Sequence, residues 1–152
     1  MDESKIRNIA ILGHQGAGKT SLVESLYSIV YGTDKGTIDK KNTISDYLKE
    51  EKTRLSSVST SIVPLEYEGY RLNLLDIPGN DDFIWEAISI THSIKAAILV
   101  IDAQSKVQVG TIKHYKMLRK RNIPTLIYVN KMDNGNPDFD ELMDDIRLNL
   151  GE

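Results

Sequence analysis

Three short stretches of this chain combine residue types that can grip phosphate and read a purine base. The first, GHQGAGKT at Gly13 to Thr20, fits the pattern G-x-x-x-x-G-K-[ST] in full. Each part answers a chemical need. Gly16 and Gly18 let backbone N–H groups converge on phosphate oxygens without a side chain in the way. A following helix would add the partial positive charge of its N-terminus. Lys19 supplies a point charge to the outer phosphates. The Thr20 hydroxyl is an oxygen ligand for Mg²⁺. The candidate phosphate-binding residues are therefore Gly13, His14, Gln15, Gly16, Ala17, Gly18, Lys19, Thr20 and Ser21, with the His14 side chain expected to point away from the ligand. This loop alone does not separate ATP from GTP.

The second stretch, NKMD at Asn130 to Asp133, makes that separation. Guanine presents N1–H and an amino group along one edge, and a carboxylate accepts from both, so Asp133 selects guanine. Adenine would set its own acceptor against the carboxylate, a costly mismatch. The stem of Lys131 can cover the base, and Asn130 can tie its loop to the phosphate loop. The third stretch, DIPGND, places Asp76 at the end of an apolar run. From there its carboxylate can reach Mg²⁺ through a water, and the Gly79 N–H can meet a γ-phosphate. Release of that phosphate would release the loop. Asn80 follows as the residue placed to hold an attacking water, with Lys19 as the other candidate catalytic group; Asp81 is an alternative base.

Elements that would position these loops are legible from apolar periodicity. Strands are expected over Ile6 to Leu12, Val58 to Tyr67, Tyr70 to Asp76, Ala96 to Asp102 and Pro124 to Asn130. Only Glu68 and Gly69 separate the second and third, which predicts a hairpin. Helices are expected over Lys19 to Val30, Phe83 to Ser93, Val107 to Arg121 and Phe139 to Leu150. The first would turn Leu22, Val23, Leu26, Ile29 and Val30 inward, and the last Phe139, Leu142, Met143, Ile146 and Leu150. Trp85 is expected to pack. This alternation predicts an α/β fold, a mostly parallel sheet with helices on both faces, and each motif sits where a strand ends, the place such sheets bind ligands. The segment of about 31–57 lacks periodicity and reads as a mobile, switch-like loop.

Composition bounds the rest. At 152 residues one domain is expected, and the absence of cysteine excludes disulfides, thiolate zinc sites and thiol nucleophiles. The net charge of −3 argues against strong nucleic-acid binding by the chain as a whole. The charged start and the short aliphatic runs predict a soluble, cytoplasmic protein with no membrane partner; no DNA partner and a monomeric state are expected as well. Lys113, Lys116, Arg119, Lys120 and Arg121 crowd one predicted helix. A solvated face with cations toward the helix C-terminus is the plain reading; a ribosomal RNA contact is the other.

With the three motifs in this order, the chain resembles a translational GTPase, and the elongation factor G family in particular. RNIAILGHQGAGKT is similar to that family's first strand and phosphate loop, LLDIPGNDDF to its D-T-P-G-H-x-D-F, and NIPTLIYVNKMD to its base-reading strand and loop. The likeness runs from about Lys5 to Leu150. It implies the N-terminal part of a P-loop guanine-nucleotide-binding domain, with GTP or GDP and Mg²⁺ as cofactors and the ribosome as partner. Four departures stand out. In the family's R-G-I-T-I switch the threonine is a Mg²⁺ ligand; here Ser57 takes that place and Leu55 replaces the glycine. Gly16 stands where the phosphate loop usually has Asp, and Asn80 where the family has its water-positioning histidine. These departures resemble the divergent elongation-factor-G-like paralogues. No S-A-x loop follows Asp133, so the expectation is a domain cut before its last strand and helix, with Thr125 to Asn130 left at the sheet edge and weakened nucleotide affinity.

Two functions share these motifs: a GTPase, and a guanine-nucleotide switch with little hydrolysis. A P-loop ATPase or kinase is disfavoured by NKMD.

Overall fold

The computed structural model describes residues 2–34, 59–80 and 84–151. A short 3-10 turn, Glu3–Lys5, leads into β1 (Ile6–Gly13), followed by α1 (Lys19–Tyr31), β2 (Ser61–Tyr67), β3 (Tyr70–Asp76), α2 (Ile84–Ile90), β4 (Ala96–Asp102), α3 (Val109–Lys120), β5 (Thr125–Asn130) and α4 (Phe139–Leu150). The five strands form one sheet in the order β2-β3-β1-β4-β5. β2 and β3 pair antiparallel, and every other neighbouring pair is parallel. This is the predicted α/β architecture with its single hairpin. Glu68 and Gly69 both take positive φ, 48° and 78°, the two-residue turn whose twist matches that of its strands.

β4 is apolar up to Asp102, and β1 and β3 are apolar and buried toward their carboxyl ends, because both sheet faces are covered there. On one face Ile11, Leu74 and Val100 meet Val23 of α1 and Val63 and Leu65 of β2. On the other, Ala10, Leu12, Leu99 and Ile101 pack with Ala87 of α2, Tyr115 and Leu118 of α3, and Leu142, Ile146 and Leu150 of α4. Parallel pairing sends the carboxyl ends of β1, β3, β4 and β5 to one edge, delivering Gly13, Asp76, Asp102 and Asn130 there together. β5 ends the sheet, as expected, with Leu126 and Tyr128 exposed. No helix among the described residues is long and apolar enough to cross a membrane.

Several sequence expectations need correction. Ile29 is 79% exposed: the residues of α1 that pack on the sheet are Leu22, Val23, Leu26 and Tyr27, with Glu24 buried beside them, and Ile29 lies in the last turn of the helix, past them. Phe139 is 58% exposed because it sits in the first turn of α4, ahead of the Leu142–Ile146–Leu150 stripe. Trp85 is 74% exposed on α2 and does not pack. α3 starts two residues late because the Val107 N–H donates to the Asp145 carboxylate at 2.8 Å, leaving Gln108 as the N-cap. α2 stops at Ile90 and turns through Thr91–Ser93. Most of the expected switch-like loop, with Leu55, Ser57 and Val58, and the triplet Asp81, Asp82 and Phe83, lie outside the described residues.

Candidate functional site

The Gly13–Thr20 loop is shaped by backbone that side chains would spoil. Gly13, Gly16 and Gly18 all have positive φ. A Cβ on Gly18 would fall on the Asn130 amide nitrogen, and one on Gly13 on the Val100 carbonyl of β4. Gln15 and Gly16 face solvent, Gly18 and Ser21 are half-buried, and Ala17 and Thr20 are buried. The Ala17 N–H donates to the His14 carbonyl at 3.2 Å, which curls the loop before α1 begins at Lys19.

Lys19 is 7% exposed and curls back over the loop, its ammonium donating to the carbonyls of Gly13 at 3.2 Å and His14 at 3.0 Å. Burial pushes its pKa down to about 8, while the Asp76 carboxylate pulls the other way. Asp76 is 1% exposed and accepts a hydrogen bond from the Thr20 hydroxyl at 2.7 Å. Two hard oxygen donors from loops 56 residues apart therefore meet beneath a cation. That donor set suits Mg²⁺. Among the described residues no group of three or more His, Cys, Asp or Glu gathers for a metal, so the remaining ligands of a cation here would be phosphate oxygens or water. Gly79 is pressed against this assembly: a Cβ there would stand 2.7 Å from the Gln15 nitrogen and would overlap the Lys19 ammonium. Asn80, half-buried, follows directly.

The loop after β5 is held by side chains. Asn130 donates from Nδ2 to the Ala17 carbonyl at 3.0 Å, the tie to the phosphate loop expected from the sequence. Lys131, at φ 61°, donates from Nζ to the Gly16 carbonyl at 2.7 Å and pairs with the Asp102 carboxylate at 2.6 Å. Asp133 is exposed, and its carboxylate makes no hydrogen bond or ion pair among the described residues. The structure thus brings Lys19, Thr20, Asp76, Gly79, Asn80, Asn130 and Lys131 to the carboxyl edge of the sheet with Asp133 at the rim.

Asp102 is the residue that motif reading missed. Its other oxygen accepts from the Gln104 N–H at 2.8 Å, and Gln104 in turn donates to the Asn134 carbonyl. Burial pushes the Asp102 carboxyl up, but the Lys131 ammonium and the N–H groups of Gln104 and Ser105 outweigh it and hold the pKa below the ordinary carboxylate range. The sequence did carry a signal: Asp102 is the one acidic residue between Glu86 and Asp133, at the end of a wholly apolar strand. A pocket of about 230 Å³ opens between this ion pair, the outer side of His14 to Ala17 and the start of α3. Gly110 gives His14 its room there, since a Cβ would stand 2.8 Å from Nδ1, which has no hydrogen-bond partner among the described residues.

The chain matches, over residues 4–152, the model of the family described as elongation factor Tu GTP binding domain. It is 36% identical over 148 residues to mitochondrial ribosome-releasing factor 2 of Drosophila willistoni and 32% identical over 151 residues to that of Anopheles gambiae. These alignments cover 97% and 99% of this chain but 20% of each relative, so the chain spans about a fifth of their length. A crystal structure of a protein from Thermus thermophilus superposes with a TM-score of 0.91 at 34% identity, covering 97% of this chain and 22% of that one. Translation elongation factor SelB from Methanococcus maripaludis, solved with the GTP analogue GppNHp, shares the fold at a TM-score of 0.67 and 21% identity, over 93% of this chain and 25% of that one.

Proposed function

Because the chain belongs to the elongation factor Tu GTP binding domain family, we propose that it holds Mg-GTP between its Gly13–Thr20 and Asp76–Asn80 loops and hydrolyses it to GDP and phosphate on the ribosome. The protein carrying it would then be an elongation-factor-G-like relative of the ribosome-releasing factors. One observation carries this reading: the 2.7 Å hydrogen bond from Thr20 to Asp76 beside the buried Lys19 ammonium, which joins the two phosphate-facing loops.

Each residue then has a task. Phosphate oxygens take over the Lys19 ammonium from the carbonyls of Gly13 and His14. The N–H groups around Gly16 and Gly18 and the N-terminus of α1 face the same charge. Thr20, through its hydroxyl, and Asp76 would hold Mg²⁺, which when bound would supply positive charge against the phosphates. Asp133 accepts from the guanine edge, and Lys131 lies along the base. The Asn80 amide donates and accepts, and so can orient a water toward the γ-phosphorus. Attack breaks the bond to the GDP oxygen, and the proton leaves through solvent or phosphate.

Asn80 also favours a second reading, a guanine-nucleotide switch with little turnover. An amide cannot take up the positive charge open to a histidine near neutral pH. Ribosome-stimulated GTP turnover by the full-length protein, beside Asn80→His, separates the two. Under the first reading the wild type turns over with ribosomes, and Asn80→His changes the rate by less than about tenfold. A wild type at background, with turnover raised roughly 10²-fold or more by the substitution, establishes the switch. Binding of ATP as tight as GTP would overturn both. Fractionation distinguishes a cytoplasmic placement from the mitochondrial one printed in the names of the insect relatives.

A further inference from the structure

Charge along this chain is segregated. Residues 87–132 contain eight Lys and Arg against the single Asp102, a net of +7, which leaves −10 for the rest of a chain whose total is −3. The fold converts part of that sequence bias into a surface. Lys95 precedes β4, and Arg121 follows α3, so both lie at the amino edge of the parallel strands, opposite the edge that carries Gly13, Asp76 and Asn130. They line one groove of about 510 Å³, floored by Ile94, Ile123 and Pro124. Lys116 and Lys120 continue the charge along the exposed side of α3.

These cations are poorly compensated. No ion pair among the described residues engages Lys95, Lys116, Lys120 or Arg121. The Arg121 guanidinium is aimed by a histidine and not by a carboxylate, lying 2.9 and 2.7 Å from the two ring nitrogens of His92. No acidic residue occurs in Thr91 to Lys95 or in Lys116 to Pro124. Such a patch focuses positive potential whatever the net charge of the molecule.

We propose that this end of the domain is a docking surface for RNA, gripping the phosphate backbone without reading its bases. A lipid surface fits less well, because interfacial binding adds buried apolar anchors to charge. None of the exposed large apolar side chains falls within Thr91 to Lys95 or Lys116 to Pro124. The surface and the nucleotide site lie at opposite edges of the sheet, so the inference stands without the GTPase reading.

Fluorescence anisotropy of a labelled RNA hairpin tests it. The protein should bind at 50 mM KCl and lose affinity with salt at a log–log slope of about −3 to −4, the value for about four phosphates neutralised. The triple variant Lys95→Glu, Lys120→Glu, Arg121→Glu should bind at least about tenfold more weakly and flatten the slope. Lys95→Arg with Lys120→Arg should bind as the wild type does. GDP affinity, measured on the same preparations, should be unchanged in the triple variant, which shows it folded and keeps this result separate from the nucleotide reading. No binding at 50 mM KCl, equal binding by the triple variant, or tighter binding to phosphatidylserine vesicles than to the hairpin would overturn the proposal. If the triple variant loses GDP affinity, the single variants Lys95→Glu and Lys120→Glu decide it by the same comparison.

Discussion

The loop after β1 and the loop after β5 meet at one edge of the sheet but are held in opposite ways. The Gly13–Thr20 loop is a backbone object: three glycines at positive φ set its path, and its contacts to β4 and to Gly79 leave no room for a Cβ. The Asn130–Asp133 loop is a side-chain object, held by Asn130 on Ala17 and by Lys131 on Gly16 and Asp102. A backbone loop fails all at once when its conformation is denied. A side-chain loop fails by degrees, one hydrogen bond at a time.

Gly18→Ala should break the comparison most sharply, because it damages both loops. The new methyl must displace the Asn130 amide, which then loses the Ala17 carbonyl, and φ of 96° strains any residue with a Cβ. Strain of about 1–3 kcal/mol plus the lost tie predicts roughly a hundredfold loss of GDP affinity by calorimetric titration. A dissociation constant within about threefold of wild type would mean that the loop is more forgiving than a backbone-built object can be.

Asp102→Asn should give the graded response of the other loop. Lys131 keeps the Gly16 carbonyl but loses its counter-charge. Breaking a fully buried pair costs about 3–5 kcal/mol, but the two side chains here are 12% and 35% exposed, so solvent recovers most of it. Roughly five- to tenfold weaker GDP binding is expected, with GTP and GDP affected alike. A loss as large as that of Gly18→Ala would collapse the distinction between the two loops.

The same distinction explains what the sequence made legible. A loop whose path is dictated by glycines and one lysine announces itself as a motif, because few residue types satisfy the backbone; hence Gly13 to Thr20 and the Asp76–Gly79 turn were readable as letters. Asn130 was readable too, as the first letter of the N-K-x-D pattern downstream of the phosphate loop. Asp102 was not, because its role depends on β4 and β5 ending level, with Asp102 opposite Asn130, and only pairing register shows that. The errors in the helices have a related cause. Periodicity names an apolar residue without saying which neighbours cover it, so Trp85 and Phe139 read as interior although both are exposed. The late start of α3 rests on one long-range bond, from the Val107 N–H to Asp145, that no local pattern contains.

The smallest expected effect tests whether Lys19 belongs to the backbone object through its charge. Burial lowers its pKa from 10.5 to about 8 in the unliganded fold, and phosphate oxygens would hold its proton on. Binding therefore takes up a proton as pH passes 8, and GDP affinity should be about fourfold weaker at pH 8.5 than at pH 7. Stability of the unliganded fold moves the other way. Between about pH 8 and pH 10.5 the unfolded chain binds the proton that the folded chain has released, so unfolding becomes harder as pH rises through that window. General alkaline loosening would weaken binding and stability together. Only a buried lysine that must be recharged by its ligand makes affinity fall while the denaturant midpoint of the unliganded protein rises, and a midpoint that falls alongside affinity would remove Lys19 from that role.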